Sequence, residues 1–231
     1  MTDTPLFAAL KAATAPEWQA YTRHAFVRGL GDGTLPRTAF LHYLRQDYLF
    51  LIHFSRAWAL AVVKSDRIDE MRLAAATVNA LIGEEIALHI QTCAAAGIEH
   101  ASLAATEEGS ATLAYTRFVT DAGLKGDLLD LLVALAPCVL GYAEIGTALA
   151  AEAADGGGGV PPDHPYADWI ATYAGEGYQA PAREAGRLLE TVARRRIGED
   201  AAQSPRWSEL VAQFRTATRL EADFWQQGLD A

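Results

Sequence analysis

Phe40-Leu41-His42-Tyr43-Leu44-Arg45-Gln46-Asp47-Tyr48-Leu49-Phe50-Leu51-Ile52-His53-Phe54 is the stretch on which the fold class turns. Phe40, Tyr43, Asp47, Phe50 or Leu51, and Phe54 recur every three or four residues, so they share one face of an α-helix. That face is aromatic, and a carboxylate stands in the middle of it. Pro36 sits where the helix can begin, and the pattern continues to about Lys64.

The same periodicity extends in both directions from this helix. Upstream, a helical region covers about Leu6 to Val27, with a break near Pro16, and Gly29-Leu30-Gly31-Asp32-Gly33 is expected to be a turn. Downstream, Ser65 and Asp66 are expected to cap a helix reaching about Ala96 and stopping at Gly97. Further helices are expected over Glu107 to Ala122, Asp127 to about Ala154, 164–175, 180–197 and Trp207 to Gly228. Gly156 to Gly159 with Val160-Pro161-Pro162 is expected to be a loop, and no Gly-Lys-Ser/Thr follows it to make a phosphate cradle. The pattern shows no strand pair and no internal repeat. The expected architecture is all-α, a single helical bundle over residues 1–231.

Composition agrees. With 231 residues, a 51% hydrophobic fraction, five Trp, eight Tyr and eight Phe, the chain has material for one sizeable core. The net charge of −10 disfavours nucleic acid and anionic lipid as partners. The one basic run, Arg194-Arg195-Arg196, is expected to be a solvated helix end, where cations suit the helix dipole. The longest uncharged stretch near the middle, between Asp130 and Glu144, is too short to cross a bilayer and reads as a buried helix. Two widely spaced cysteines, Cys93 and Cys138, make no disulfide framework, and no leader is recognisable. The expected location is cytoplasmic.

Three polar features stand on apolar faces. Glu221 shares a stripe with Leu210, Phe214, Ala217 and Phe224 or Trp225, so two carboxylates, Asp47 and Glu221, belong to apolar surfaces. Burial of a carboxylate is costly without a partner and raises its pKa. Each is either a core acid satisfied by a neighbour or part of a lined pocket. Cys138 follows Pro137 inside a long helical pattern, with Tyr142 on the same face. It is either a small buried hydrophobe or a nucleophile helped by an acid–base group. Glu85 and His89, four residues apart, can hydrogen-bond structurally, orient each other or ligate a metal. His24, His42, His53 and His100 have no ligand spacing, and no Glu-x-x-His, Cys-x-x-Cys, Gly-x-Ser-x-Gly or dinucleotide motif is present. The expectation is no metal and no cofactor.

Six segments taken in order resemble the TenA/thiaminase II family: Gly29 to Pro36, Gln46-Asp47-Tyr48-Leu49-Phe50-Leu51, Glu85-Ile86-Ala87-Leu88-His89, Pro137-Cys138 with Tyr142, Glu144 and Gly146, His164-Pro165-Tyr166 with Trp169-Ile170 and Tyr173, and Glu221 with Phe224-Trp225. The resemblance spans about Trp18 to Trp225. It implies a heme-oxygenase-like bundle that binds no heme, a homotetramer, and a small-molecule aminopyrimidine substrate. The implied reaction is hydrolysis of 4-amino-5-aminomethyl-2-methylpyrimidine to the hydroxymethyl compound and ammonia, with thiamin cleavage as a related activity. By position it implies Cys138 as nucleophile and Glu221 as acid–base group. Asp47 would accept from the aminopyrimidine edge, Tyr142 would position the thiol or the acid, and Tyr173 would line the pocket. Phe50 stands where family members often carry Tyr, which keeps a ring wall and loses a polar contact. The alternatives are a cofactorless or metal-dependent oxidase on the same bundle, which Glu85 and His89 would favour, and a non-catalytic regulatory protein.

Overall fold

The computed structural model describes residues 4–155, 159–161 and 163–231. Among them every regular element is helical: α1 (Pro5–Ala13), α2 (Ala15–Thr22), α3 (Ala25–Asp32), α4 (Arg37–Lys64), α5 (Ile68–Ala80), α6 (Ile86–Ala95), α7 (His100–Ala104), α8 (Ser110–Lys125), α9 (Leu128–Asp155), α10 (Ala167–Ala174), α11 (Glu176–Ile197) and α12 (Trp207–Leu229). The long helices carry the bundle. α9 packs against α8, α10, α11 and α12, while α4 packs against α5, α8 and α12. Their shared interior is continuous and rich in rings, with Trp58, Trp225, Tyr21, Tyr43 and Tyr115 among the largest fully buried side chains.

Several boundaries differ from the expectation, each for a local reason. The first helical region is three helices. It breaks at Thr14, whose hydroxyl bonds back to the Leu10 carbonyl, and again at His24, whose Nδ1 accepts from the Phe26 amide. The expected turn at Gly29–Gly33 is mostly helix: Gly29 to Asp32 belong to α3, and only Gly33 turns, with φ of 76°. That left-handed conformation strains any residue with a Cβ. Ser65 and Asp66 do not cap α5. Arg67 is its N-cap, Ser65 closes α4 by donating to the Ala61 carbonyl, and Glu70 reaches back to accept from the Asp66 amide. The helix expected to run unbroken to Ala96 contains a π-helical turn at Leu81–Glu85.

α7 is unanticipated, α8 runs through Gly123, and α11 begins at Glu176 with Pro181 inside it. Pro137 likewise lies inside α9 without ending it. Of the expected 156–162 loop, Gly156 to Gly158 and Pro162 lie outside the described residues. The basic run is paired rather than merely solvated. Arg195 meets Asp66 and Glu70, and Arg196 and Arg206 converge on Asp127 at 2.9 Å each.

Two helical stretches, Ile68–Ala95 and Leu128–Ala154, are long and apolar enough to cross a membrane by length and composition. The uncharged stretch before Glu144 is short by itself, but the helix continues across that residue to Ala154. In the fold, 78% of the most apolar window of Leu128–Ala154 is buried, so it is the core helix. Only 11% of the corresponding window in Ile68–Ala95 is buried, and Ile68, Ile82 and Leu88 stand on its open face.

Candidate active site

Asp47 reaches the interior because α4 turns its aromatic face inward. Cys138 and Tyr142 project one turn apart from α9. Tyr173 is brought over them because α10 runs close against α9 at Gly146, where an added Cβ would lie 2.6 Å from the Tyr173 backbone. Together with Phe50, these side chains line a cavity of about 210 Å³ between α4, the π turn, α9 and α11. Phe54, Trp58, Leu81, Glu85 and Tyr178 complete most of its wall. A flat ring with polar edges suits such a space, since rings stack on its walls and a few polar groups fix orientation.

Five of the six side chains expected in the site, Asp47, Phe50, Cys138, Tyr142 and Tyr173, line this cavity. The sixth, Glu221, does not. It is 1% exposed and accepts a 2.8 Å hydrogen bond from the Tyr115 hydroxyl. Phe50 packs against both Tyr115 and Phe224, three residues beyond Glu221 on α12. Among the charges around the Cys138 thiol, that of Glu221 acts on it most strongly.

The electrostatics follow from burial. Desolvation first, then Glu221, Asp47 and Glu85, push the Cys138 thiol well above its ordinary value, so the resting sulfur is protonated. Desolvation raises Glu221 to about 8 against the opposing hydrogen bond from Tyr115. Asp47, 5% exposed, is also raised by burial, with His89 and Tyr43 acting in the other direction.

Asp47 is therefore a supported acid. His89 Nδ1 lies 3.4 Å from Asp47 Oδ2, and its Nε2 is fixed by the Leu44 carbonyl at 2.7 Å. His89 thus serves Asp47 rather than Glu85, and the two residues do not pair with each other. Tyr43 stands one turn before Asp47, and its hydroxyl accepts from Trp169 Nε1 at 3.3 Å. Tyr142, expected to position the thiol or the acid, lines the cavity with Cys138, its ring 5.0 Å from Tyr173 and 5.2 Å from Trp225.

Sequence reasoning missed Tyr43, Tyr115 and Tyr178 as site residues. Tyr43 had a readable signal, four residues from Asp47 on the same face. Tyr115 and Tyr178 had none, because α8 and α11 meet the site only through tertiary packing.

The model of the TENA/THI-4/PQQC family matches residues 11–231. The chain is 34% identical to an aminopyrimidine aminohydrolase of Halalkalibacterium halodurans, covering 94% of this chain and 92% of that one. Its fold superposes on a TenA family transcription regulator from Silicibacter sp. TM1040 with a TM-score of 0.92, at 57% identity over 97% of this chain and 96% of that one. A domain of unknown function from Shewanella denitrificans, described as having a heme oxygenase-like fold, matches with a TM-score of 0.69 at 14% identity over 97% and 92% of the two chains. The bundle is thus of the heme-oxygenase-like type, and the chain belongs to the TENA/THI-4/PQQC family.

Proposed function

We propose that this protein hydrolyses 4-amino-5-aminomethyl-2-methylpyrimidine to 4-amino-5-hydroxymethyl-2-methylpyrimidine and ammonia, in one domain spanning residues 1–231, with thiamin cleavage as a second activity. The observation that carries this is the convergence of Cys138, Asp47, Tyr142 and Tyr173 on one ring-walled cavity. The name of the relative from Halalkalibacterium halodurans points the same way. In the reactive form Glu221 is the carboxylate. It takes the thiol proton and passes it to a ring nitrogen as the sulfur of Cys138 bonds to a ring carbon. Aromaticity is lost, the 4-amino lone pair drives out the substituent on the exocyclic methylene, water takes its place, and the sulfur is expelled. Asp47 accepts from the 4-amino group, which gains positive charge as the substituent leaves. Tyr142 and Tyr173 wall the ring.

The protein works without a cofactor, as a homotetramer in the cytoplasm. The open apolar face of α5 and α6, with Ile68 62% and Ile82 60% exposed, supports association with further copies. The net charge of −10 argues against the DNA binding that a regulator would need.

Purified protein is expected to release ammonia from the aminomethylpyrimidine and to bind the hydroxymethylpyrimidine product in a calorimetric titration. Absence of both would overturn the assignment.

A further inference from the structure

Asp47, Glu84 and Glu85 are the carboxyls that line the cavity. Of the two that the reaction as proposed does not use, Glu84 is exposed, and Glu85 is the more enclosed. It closes the π-helical turn Leu81–Glu85, a break in helix register of a kind that recurs at functional sites. It is half-buried and, among the described residues, has no hydrogen-bond or ion-pair partner. Buried carboxyls are as a rule satisfied by a protein group, so a solitary one facing an open cavity is free to meet a ligand.

Its position is also distinct from that of the other two acids. Asp47 is met by His89, and Glu221 accepts from Tyr115. Glu85 lines the ring-walled cavity and a second one of about 290 Å³ between α4, α6 and α10. Asp47, Leu51, Tyr173 and Tyr178 are the other residues common to both. The partition between the cavities thus carries a free carboxyl, with space on its far side for a departing group.

We infer that Glu85 is a further catalytic residue, which exchanges a proton with the substituent leaving the exocyclic methylene and then with the water that replaces it. This rests on the aminopyrimidine reading above. As the C–N bond breaks, its electron pair goes to nitrogen, and the Glu85 carboxyl supplies the proton with which ammonia departs. The carboxylate left behind takes a proton from the water molecule as its oxygen bonds to the methylene carbon. Glu85 ends protonated, as it began, and the pyrimidine carries a hydroxyl.

Burial, with the charge of Asp47 adding to it, raises the Glu85 carboxyl to about 7, so both protonation states are available near neutrality. The titratable groups that line the two cavities with it are Glu84 beside it on the π turn, Arg37, Tyr43 and Asp47 at or on α4, Cys138 and Tyr142 from α9, Tyr166, Asp168 and Tyr173 at or on α10, Tyr178 from α11, and His89 on the following helix.

The test is Glu85→Gln in the full-length protein, read by ammonia release from the aminomethylpyrimidine and by calorimetric binding of the hydroxymethylpyrimidine. Expected are a fall in kcat of about 100-fold, product affinity within threefold of wild type, and loss of the pH-profile limb near 7. Formate is expected to restore Glu85→Ala at least tenfold, because it replaces the missing proton carrier. A Glu85→Gln variant retaining more than half of kcat overturns the inference. So does one that loses product binding together with activity, or a Glu85→Ala variant that formate does not restore. If wild-type protein releases no ammonia, the function and the inference fall together. If wild type is active and Glu85→Gln matches it, only the inference falls.

Discussion

The hydroxyl of Tyr115 donates to Glu221 Oε1 across 2.8 Å, linking α8 to α12 in the buried interior. This hydrogen bond opposes the burial that raises Glu221 to about 8. Tyr115→Phe deletes it and leaves the carboxylate with less support. The Glu221 pKa then rises further, and the limb of kcat/KM that requires the ionised form moves to higher pH. At pH 7 a fall of about tenfold is expected, for a shift of about one unit. A pH–rate profile of the variant that superposes on that of wild type would contradict this role.

Glu221 also links stability to pH. Its unfolded value is near 4.5 and its folded value about 8, so between these limits the unfolded chain gives up a proton that the folded chain keeps. The unfolded state therefore binds fewer protons, and stability falls as pH rises from about 4.5 to about 8. Glu221→Gln removes this dependence. The variant is expected to melt at least about 4 °C above wild type at pH 8, and the difference should close by pH 5. Melting curves at the two pH values check this, and an equal gap at both would show that another group is responsible.

Asp47 is held for binding at a cost to the fold. Asp47→Asn removes a buried charge while keeping the shape. Product affinity is expected to fall at least about tenfold, since a hydrogen bond to a charged group contributes roughly 1.5–3 kcal/mol, with no loss of melting temperature. Calorimetry and thermal melts on the same sample decide. A variant that binds normally but melts lower would make Asp47 a structural acid.

Phe50 forms a stretch of the cavity wall, 5.2 Å from Tyr115 and 5.6 Å from Phe54 between ring centres. Phe50→Tyr restores the hydroxyl often found at this position in the family. It is expected to tighten product binding about fivefold, the equivalent of about 1 kcal/mol for one hydrogen bond. Unchanged affinity would mean that this part of the wall faces only the apolar surface of the ligand.

The helix periodicity gave the bundle because α4, α9 and α12 bury stripes spaced at three and four residues, and such stripes can be read locally. It failed where a break depends on one side-chain contact. Thr14 and His24 end helices by hydrogen bonds that no period announces, and the π turn at Leu81–Glu85 inserts a residue without changing composition. The site divides in the same way. Asp47, Cys138 and Glu221 are conspicuous because they are polar on apolar faces. The partners that tune them, Tyr43, Tyr115 and His89, are ordinary residues until packing joins helices far apart in the chain.

Ammonia release by Cys138→Ala, measured alongside its calorimetric affinity for the hydroxymethylpyrimidine, bears most directly on the chemistry. Expected is turnover at least about 1000-fold below wild type with product affinity within threefold, because the variant keeps the ring walls and Asp47 and lacks only the sulfur that attacks the ring. Turnover at the wild-type rate would contradict covalent catalysis at Cys138 and leave the cavity without its nucleophile.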